Sequence, residues 1–232
     1  MRNDLIKTDH ATRLKLLEVA ATIFAECGFR KATVREICFR AGTNIAAIHY
    51  HFGNKQALYQ EALQFAYSRA KEEYPPVLSG HGEATVSQQL YVFLRSFLQR
   101  VFHGGKVSEQ ARLMMREMLE PTPALRMIVE KELFPMRLHL EGLLRQLSKD
   151  SLDEEEMRWT VMAVVGQVTI FHQIFPSLQL LWPEMHLTVE QLDRAAQYLT
   201  RYTLAALQGL DNIPAIKPIY PEDEQEGAQG QS

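Results

Sequence analysis

Apolar positions recur at helical spacing along nearly the whole chain, and polar capping residues divide them into nine helices. Leu17, Ala20 and Phe24 form one apolar stripe near the start. Two short helices follow, Thr33 to Ala41 and Ile45 to Phe52, separated by Gly42-Thr43-Asn44. Asn54 caps a helix running to about Tyr74, before Pro75-Pro76. Thr85-Val-Ser-Gln88 has the capping-box pattern and opens a helix to about His103, broken by Gly104-Gly105. Ser108 opens a helix to about Glu120, ended by Pro121. Thr122 caps the next, with Pro123 at its first position, and that helix runs to about Leu147 with a kink at Pro135. Ser151-Leu-Asp-Glu154 reads as a second capping box, opening a helix to Phe175. Thr188-Val-Glu-Gln191 opens the last helix, to about Gln208. Neither strand alternation nor an internal repeat is visible. The tail from Asp211 is rich in Pro, Glu, Gln and Gly, a composition that predicts disorder.

The pair of short helices carries the chemistry. Two brief helices joined at an angle by a turn containing glycine form a helix-turn-helix, whose second helix fits the major groove of DNA. Gly42 follows a helix end, where positive φ stops the helix at little steric cost. Asn44 is placed to cap the next helix. Ile37, Ala41, Ile48 and Phe52 supply an inner face, and Leu17, Ala20 and Phe24 complete a three-helix core. Ile45, Ala46, Ala47, His49 and His51 are then left on or near the outer face. Ala46 and Ala47 let the backbone approach base edges, and Ile45 can meet thymine methyls. Thr33, Arg35, Thr43, Asn44, His49, Tyr50, His51 and Lys55 complete the candidate DNA contacts. The alternative is an ordinary helical hairpin.

Residues 14–59 resemble the DNA-binding domain of the TetR family of transcriptional regulators. The resemblance is carried by Leu16-Leu-Glu-Val-Ala-Ala21, Ile23-Phe-Ala-Glu-Cys-Gly-Phe29, Ala32-Thr-Val-Arg-Glu-Ile-Cys38, Ala41-Gly-Thr-Asn44 and Ile48-His-Tyr-His-Phe-Gly-Asn-Lys55. The family often has Tyr at the place of His49 and Ala at that of Cys38. It often has Lys or Gln, then Gly or Pro, where Ile45 and Ala46 stand. These departures bear on which operator is read. The segment Glu117-Met-Leu-Glu-Pro-Thr-Pro-Ala-Leu125 and the helix after it resemble the C-terminal domain of the CecR branch. The resemblance implies an all-α fold: a three-helix helix-turn-helix DNA-binding domain over 1–55, then a six-helix ligand-binding and dimerisation domain over 56–209. The tail is 210–232.

Charge sharpens this division. The chain of 232 residues has a net charge of −3, which taken alone argues against a nucleic-acid partner. Residues 1–55 hold nine Lys or Arg against five Asp or Glu, a net +4, while the rest holds 16 against 23, a net −7. A basic head on an acidic body is the asymmetry expected if only the head meets phosphate. A charge of +4 is modest, so two heads in a dimer make the fuller footprint.

Other chemistries find little support. The sequence has no H-E-x-x-H, no G-x-S-x-G and no Rossmann fingerprint. Gly104-Gly-Lys-Val-Ser108 matches only the end of a phosphate loop, with Arg100 in place of the first glycine. Cys27 and Cys38 lack metal-ligand spacing and read as small thiols in a reducing cytosol; a redox switch is the alternative. No metal, cofactor or catalytic group is expected. The N-terminus has no apolar signal core. From Trp159 to Pro183 no residue is charged, a length that suggests a membrane span. Thr160, Gln167, Thr169, His172, Gln173 and Pro176 favour instead a helix buried between protein surfaces, and a cytoplasmic protein.

In the body, Phe93 and Phe97, Met114 and Met118, and Phe171, His172 and Phe175 are candidates for an adaptable apolar effector pocket. Arg116 and Glu117 can orient a polar ligand group, or form a surface pair. The bland reading makes these stripes core and His172 a core histidine. The TetR resemblance implies a homodimeric repressor of a palindromic double-stranded DNA operator, released by a small apolar or amphipathic molecule. The rival is a dimeric DNA-binding interaction module without a small effector. For the dimer, the uncharged Trp159–Phe175 helix is expected to pair with a stripe of Leu192, Ala195, Ala196, Leu199, Tyr202 and Ala206.

Overall fold

The computed structural model describes residues 2–77, 84–210 and 213. The expected disorder beyond Asp211 lies outside the described residues, apart from position 213. Helices dominate. In chain order they are α1 (Arg2–Lys31), α2 (Val34–Ala41), α3 (Ile45–Phe52), α4 (Lys55–Glu73), α5 (Val86–Val101) and α6 (Glu109–Leu119). Then come α7 (Ala124–Ile128), α8 (Phe134–Ser148), α9 (Glu154–Leu181) and α10 (Val189–Leu210). A π-helical turn, Val129–Leu133, joins α7 to α8 without a break.

The capping residues work as local chemistry dictates. The side chains of Thr33, Asn44, Asn54, Thr85 and Ser108 accept backbone N–H bonds at the starts of α2 to α6. Thr85 and Gln88 form the reciprocal capping box. Gly42 takes the left-handed conformation, φ 65°, and the Gly42 and Thr43 amides donate to Phe39 and Cys38.

Three local expectations are corrected. The box before α9 uses Asp153 and Glu156 rather than Ser151 and Glu154: Asp153 Oδ1 accepts from Glu155 N and Glu156 N, both at 2.8 Å. That helix also continues through Pro176 to Leu181, because flanking packing at Phe175 and Leu178 offsets the one backbone bond proline removes. Finally, Gly104-Gly105 does more than break a helix. It turns a small antiparallel hairpin, β1 (Phe102–His103) and β2 (Lys106–Val107), with Phe102 paired to Val107. Both glycines have positive φ, as a two-residue hairpin turn needs. Strands of two residues are too short to show alternation in sequence.

The kink expected at Pro135 appears as the π turn just before it, a local widening that accommodates a missing N–H.

Two apolar clusters hold the chain together. The first joins Leu16, Phe24, Ile37, Ile48 and Phe52 to Leu58 and Leu63 of α4 and to Leu113, Ala124 and Ile128 of α6 and α7. The three-helix head therefore shares its core with α4 and the near end of the body. The second cluster spans Leu90, Phe93, Leu94, Leu140, Leu144, Val164, Val168 and Ala196 of α5, α8, α9 and α10. Tyr91 and Arg95 of α5 both reach Asp193 of α10, at 2.5 and 2.7 Å. Their bonds hold the Asp193 carboxyl below the usual carboxylate range, the Tyr91 hydroxyl contributing most. The α10 stripe expected at a subunit interface is divided: Leu192, Ala196 and Leu199 are buried within the protomer, and Tyr202 and Ala206 are exposed.

Candidate functional site

The outer face of α3 is built from its two ends. The Asn44 side chain accepts from Ala47 N at 3.0 Å, and Gly53 N closes on the His49 carbonyl at 3.0 Å. Ile48 and Phe52 anchor the helix in the first cluster. Ile45, Ala46, His49 and Tyr50 are left exposed, Tyr50 at 73%. His49 Nδ1 lies 2.9 Å from the Gly53 carbonyl, which orients its ring along the helix end. An exposed helix face with small residues at its start and aromatic polar groups further on suits major-groove entry.

Not every candidate stands on that face. Ala47 is half-buried and packs on the core. The His51 side chain is nearly covered and points back to α1, its Nε2 3.7 Å from Asp9 Oδ1. Thr33 and Asn44 spend their side-chain oxygens on caps. Thr43 Oγ1 is buried. Lys55 lies over the Phe29 ring at 4.6 Å with Nζ 3.4 Å from the Arg30 carbonyl, and burial lowers its pKa. Arg35 is exposed and has no ion pair among the described residues. Phe39, one turn further along α2, is 80% exposed and is not among the sequence candidates. The sequence does carry the signal: Ile37, Cys38 and Ala41 fill the inner face of α2, and Phe39 falls outside that arc.

The effector candidates separate. Phe93 and Phe175 are buried in the second cluster, and Phe97 and Phe171 pack against it half-buried. His172 is buried next to Phe171 in the chain, and burial lowers its pKa against a smaller opposing effect of the Thr169 backbone. Met114 packs instead on the first cluster, and Met118 is 49% exposed. Arg116 and Glu117 are neither a surface pair nor gathered with the aromatic stripe. Arg116 Nε donates to the Ala25 carbonyl at 2.9 Å, and its Nη2 to the Glu26 carbonyl, so it braces α6 against the end of α1. Glu117 is wholly buried and accepts from the Tyr59 hydroxyl at 2.6 Å and from Thr122 N and Oγ1 at 2.8 Å. Among the described residues, one cavity of about 360 Å³ lies at the end of α1 beside Arg116 and another between α4 and α6. Neither is lined by Phe93, Phe97, Phe171, His172 or Phe175.

Residues 16–62 match the model of the bacterial regulatory proteins of the TetR family, and residues 86–210 match the C-terminal domain of the transcriptional dual regulator CecR. The chain belongs to the TetR family, in its CecR group. It is a DNA-binding transcriptional regulator. The dual regulator CecR of Shigella flexneri is 27% identical over 179 residues, 72% of this chain and 77% of the relative. A TetR-like regulator from Rhodococcus sp. RHA1 has the same fold, with a TM-score of 0.63 at 18% identity over 84% of this chain and 96% of that one. AibR, solved with isovaleryl coenzyme A and operator DNA, superposes with a TM-score of 0.60 at 20% identity, over 79% and 95% of the two chains.

In this TetR-family chain α9 has two apolar faces. Met157, Val161, Val164, Val168, His172, Phe175 and Leu178 point inward. Trp159, Met162, Ile170 and Ile174 point outward, with Ala163 and Gly166 between them. Among the described residues α9 is the one helix long and apolar enough to cross a membrane by length and composition. The helix expected to be buried between protein surfaces is thus covered on one side by its own protomer. Tyr198 and Tyr202 of α10 are also exposed, their rings 6.4 Å apart and stacked.

Proposed function

We propose that this regulator is a homodimeric, cytoplasmic repressor of a palindromic operator, released by a small amphipathic effector. The observation that carries the DNA reading is the exposed quartet Ile45, Ala46, His49 and Tyr50, held by caps at both ends of α3. Arg35 and Lys55 flank it and supply phosphate contacts, which position the helix without reading sequence. Phe39 extends this surface beside Arg35. Met162, Ile170 and Ile174 of α9, with Tyr198 and Tyr202 of α10, form the subunit interface as an intersubunit bundle with two-fold symmetry. The heads then meet half-sites roughly one helical turn apart, about 34–36 Å.

Switching uses α4, which begins where the head ends and packs into the body. Glu117 and Arg116 couple α6 to α4 and α1. An effector that wedges its apolar part between α5 and α9, at half-buried Phe97 and Phe171, shifts this brace. It releases DNA only if it binds the DNA-incompetent arrangement more tightly. AibR, with isovaleryl coenzyme A and operator DNA bound, is a precedent for both ligands on this fold. The rival is the dimeric DNA-binding module without a small effector.

The test is fluorescence anisotropy on DNA upstream of the coding region, in a salt series, with and without compounds that raise the melting temperature. Sequence-specific binding weakened by such a compound supports the proposal. Specific binding that no stabilising compound alters selects the module, and binding without sequence preference defeats both.

A further inference from the structure

The cleft between α4 and α6 differs in character from the aromatic stripe. Its walls are Ala66, Arg69, Ala70 and Glu73 of α4, Gln99 and Arg100 at the end of α5, the hairpin at His103 and Lys106, and Gln110 and Arg112 of α6. Its volume is about 360 Å³, enough for a small organic acid or a phosphate ester.

Arg100 is the unusual member. It is 5% exposed, yet a guanidinium keeps its charge in any protein environment. No carboxylate lies within ion-pair distance of it among the described residues. Glu132 acts on it through space, but Glu132 is already paired with Lys71 at 2.5 Å. Arg100 Nε donates to the Ser96 carbonyl at 3.4 Å, and Nη2 is buried without a hydrogen-bond partner. Gln110 Oε1, on the facing wall, also has none, but as an acceptor it offers an anion nothing. Glu132 and Tyr67 act on the buried charge from a distance and the Phe97 ring faces it, so the open feature is the Nη2 donor, which an oxyanion would satisfy.

The rim points the same way. Arg69, Lys106 and Arg112 are exposed and have no ion pair among the described residues. The cleft also holds two carboxylates: Glu73 lies 3.3 Å from His103 Nδ1, and Glu109 accepts from the Thr22 hydroxyl at 2.7 Å. Four permanent cations therefore face two carboxylates, an excess of positive charge in an otherwise acidic body.

We propose that this cleft binds the oxyanion group of a small ligand, a carboxylate or a phosphate, with Arg100 at its base and Arg69, Lys106 and Arg112 at its rim. Arg100 also stands 5.6 Å from the centre of the Phe97 ring. The regulatory consequence rests on the effector reading above; the binding itself does not. Occupancy draws α4 and α6 together, and α4 leads directly to the head. The mount is stiff where it must be. Ser108 Oγ donates to the Arg100 carbonyl at 2.6 Å, and a Cβ at Gly105 stands 2.8 Å from the His186 carbonyl, so that turn admits only glycine as it is packed.

The test uses the full-length protein with sodium pyrophosphate in one arm and succinate in the other, at ionic strength held constant with NaCl. At ten times its dissociation constant, the preferred anion raises Tm by roughly 3–6 °C. Arg100→Gln lowers its affinity at least tenfold by calorimetry, and the exposed pair Arg69→Gln/Arg112→Gln at least threefold. A response to pyrophosphate alone assigns a phosphate ligand, and one to succinate alone a carboxylate. Equal affinity in wild type and variants means an anion on the basic head and overturns the proposal, as does no response to either salt. Should Arg100→Gln fail to fold, the rim pair decides, since neither side chain is needed for packing. Operator binding measured on the same samples separates the two readings. Its loss with an intact anion site defeats the regulator, and the reverse outcome defeats only the cleft.

Discussion

Tyr59 of α4 donates its hydroxyl proton to Glu117 of α6 at 2.6 Å, and neither residue is open to solvent. Burial, then this bond, raises the Tyr59 pKa far above the usual phenol value. Glu117 Oε1 is satisfied separately by Thr122, so Oε2 depends on Tyr59. Tyr59→Phe leaves a buried carboxylate oxygen without its donor and should lower stability by about 1–3 kcal/mol. Urea unfolding measures this, and hydrogen exchange should quicken along α4. Unchanged stability would mean that water or a rearranged Thr122 replaces the phenol.

The recognition face yields a graded expectation. Ala46→Glu puts a carboxylate on an exposed position and should abolish operator binding while leaving the circular dichroism spectrum unaltered. Ala47→Glu should abolish it too, with an added loss of stability because Ala47 packs on the core. Lys55→Ala should weaken binding to all sequences alike and reduce the salt slope by about one. Native affinity in folded Ala46→Glu would remove α3 from the groove.

The outward face of α9 predicts the assembly. Met162→Glu/Ile170→Glu puts carboxylates into an apolar interface of two copies, where they are desolvated and close to their symmetry mates. Light scattering at micromolar concentration should show a dimer for wild type and a monomer for the variant, and operator affinity should fall with it. A variant that stays dimeric places the interface elsewhere.

Acid should weaken the fold through buried His172 and half-buried His139. Burial lowers the pKa of His172, and also that of His139, below the ordinary 6.5. The unfolded chain then binds more protons than the folded one between the two values, so stability rises with pH across that window. It is fully present above about pH 6.5 and declines as pH falls toward the lowered folded values. Tm measured from pH 7.5 to 5.5 should drop, and His172→Gln should flatten part of the drop. An unchanged profile in that variant would assign the acid sensitivity to other groups.

Most helix ends are legible in the amino-acid sequence, and the reason is range. Thr33, Asn44, Asn54, Thr85 and Ser108 each bond a backbone N–H within three residues, so the cap and its helix are written side by side. The helix-turn-helix is legible for the same reason, since Gly42 and Asn44 act on their own turn. The box at Asp153 lies two residues beyond the expected one because Ser151 and Asp153 offer the same chemistry, and periodicity does not choose between them.

Side-chain fates set by distant partners are decided only by packing. His51 turns inward because α1 presents Asp9 there, and Glu117 is buried because Tyr59 and Thr122 converge on it. Arg116 finds carbonyls at the end of α1, and Arg100 is enclosed by two helices and a hairpin that alternation could not reveal. On α9 and α10 both faces are apolar enough to bury. Periodicity marks such faces equally, and only the competition among whole surfaces for α5 and α8 leaves Met162 and Tyr202 outside while Val164 and Ala196 go in.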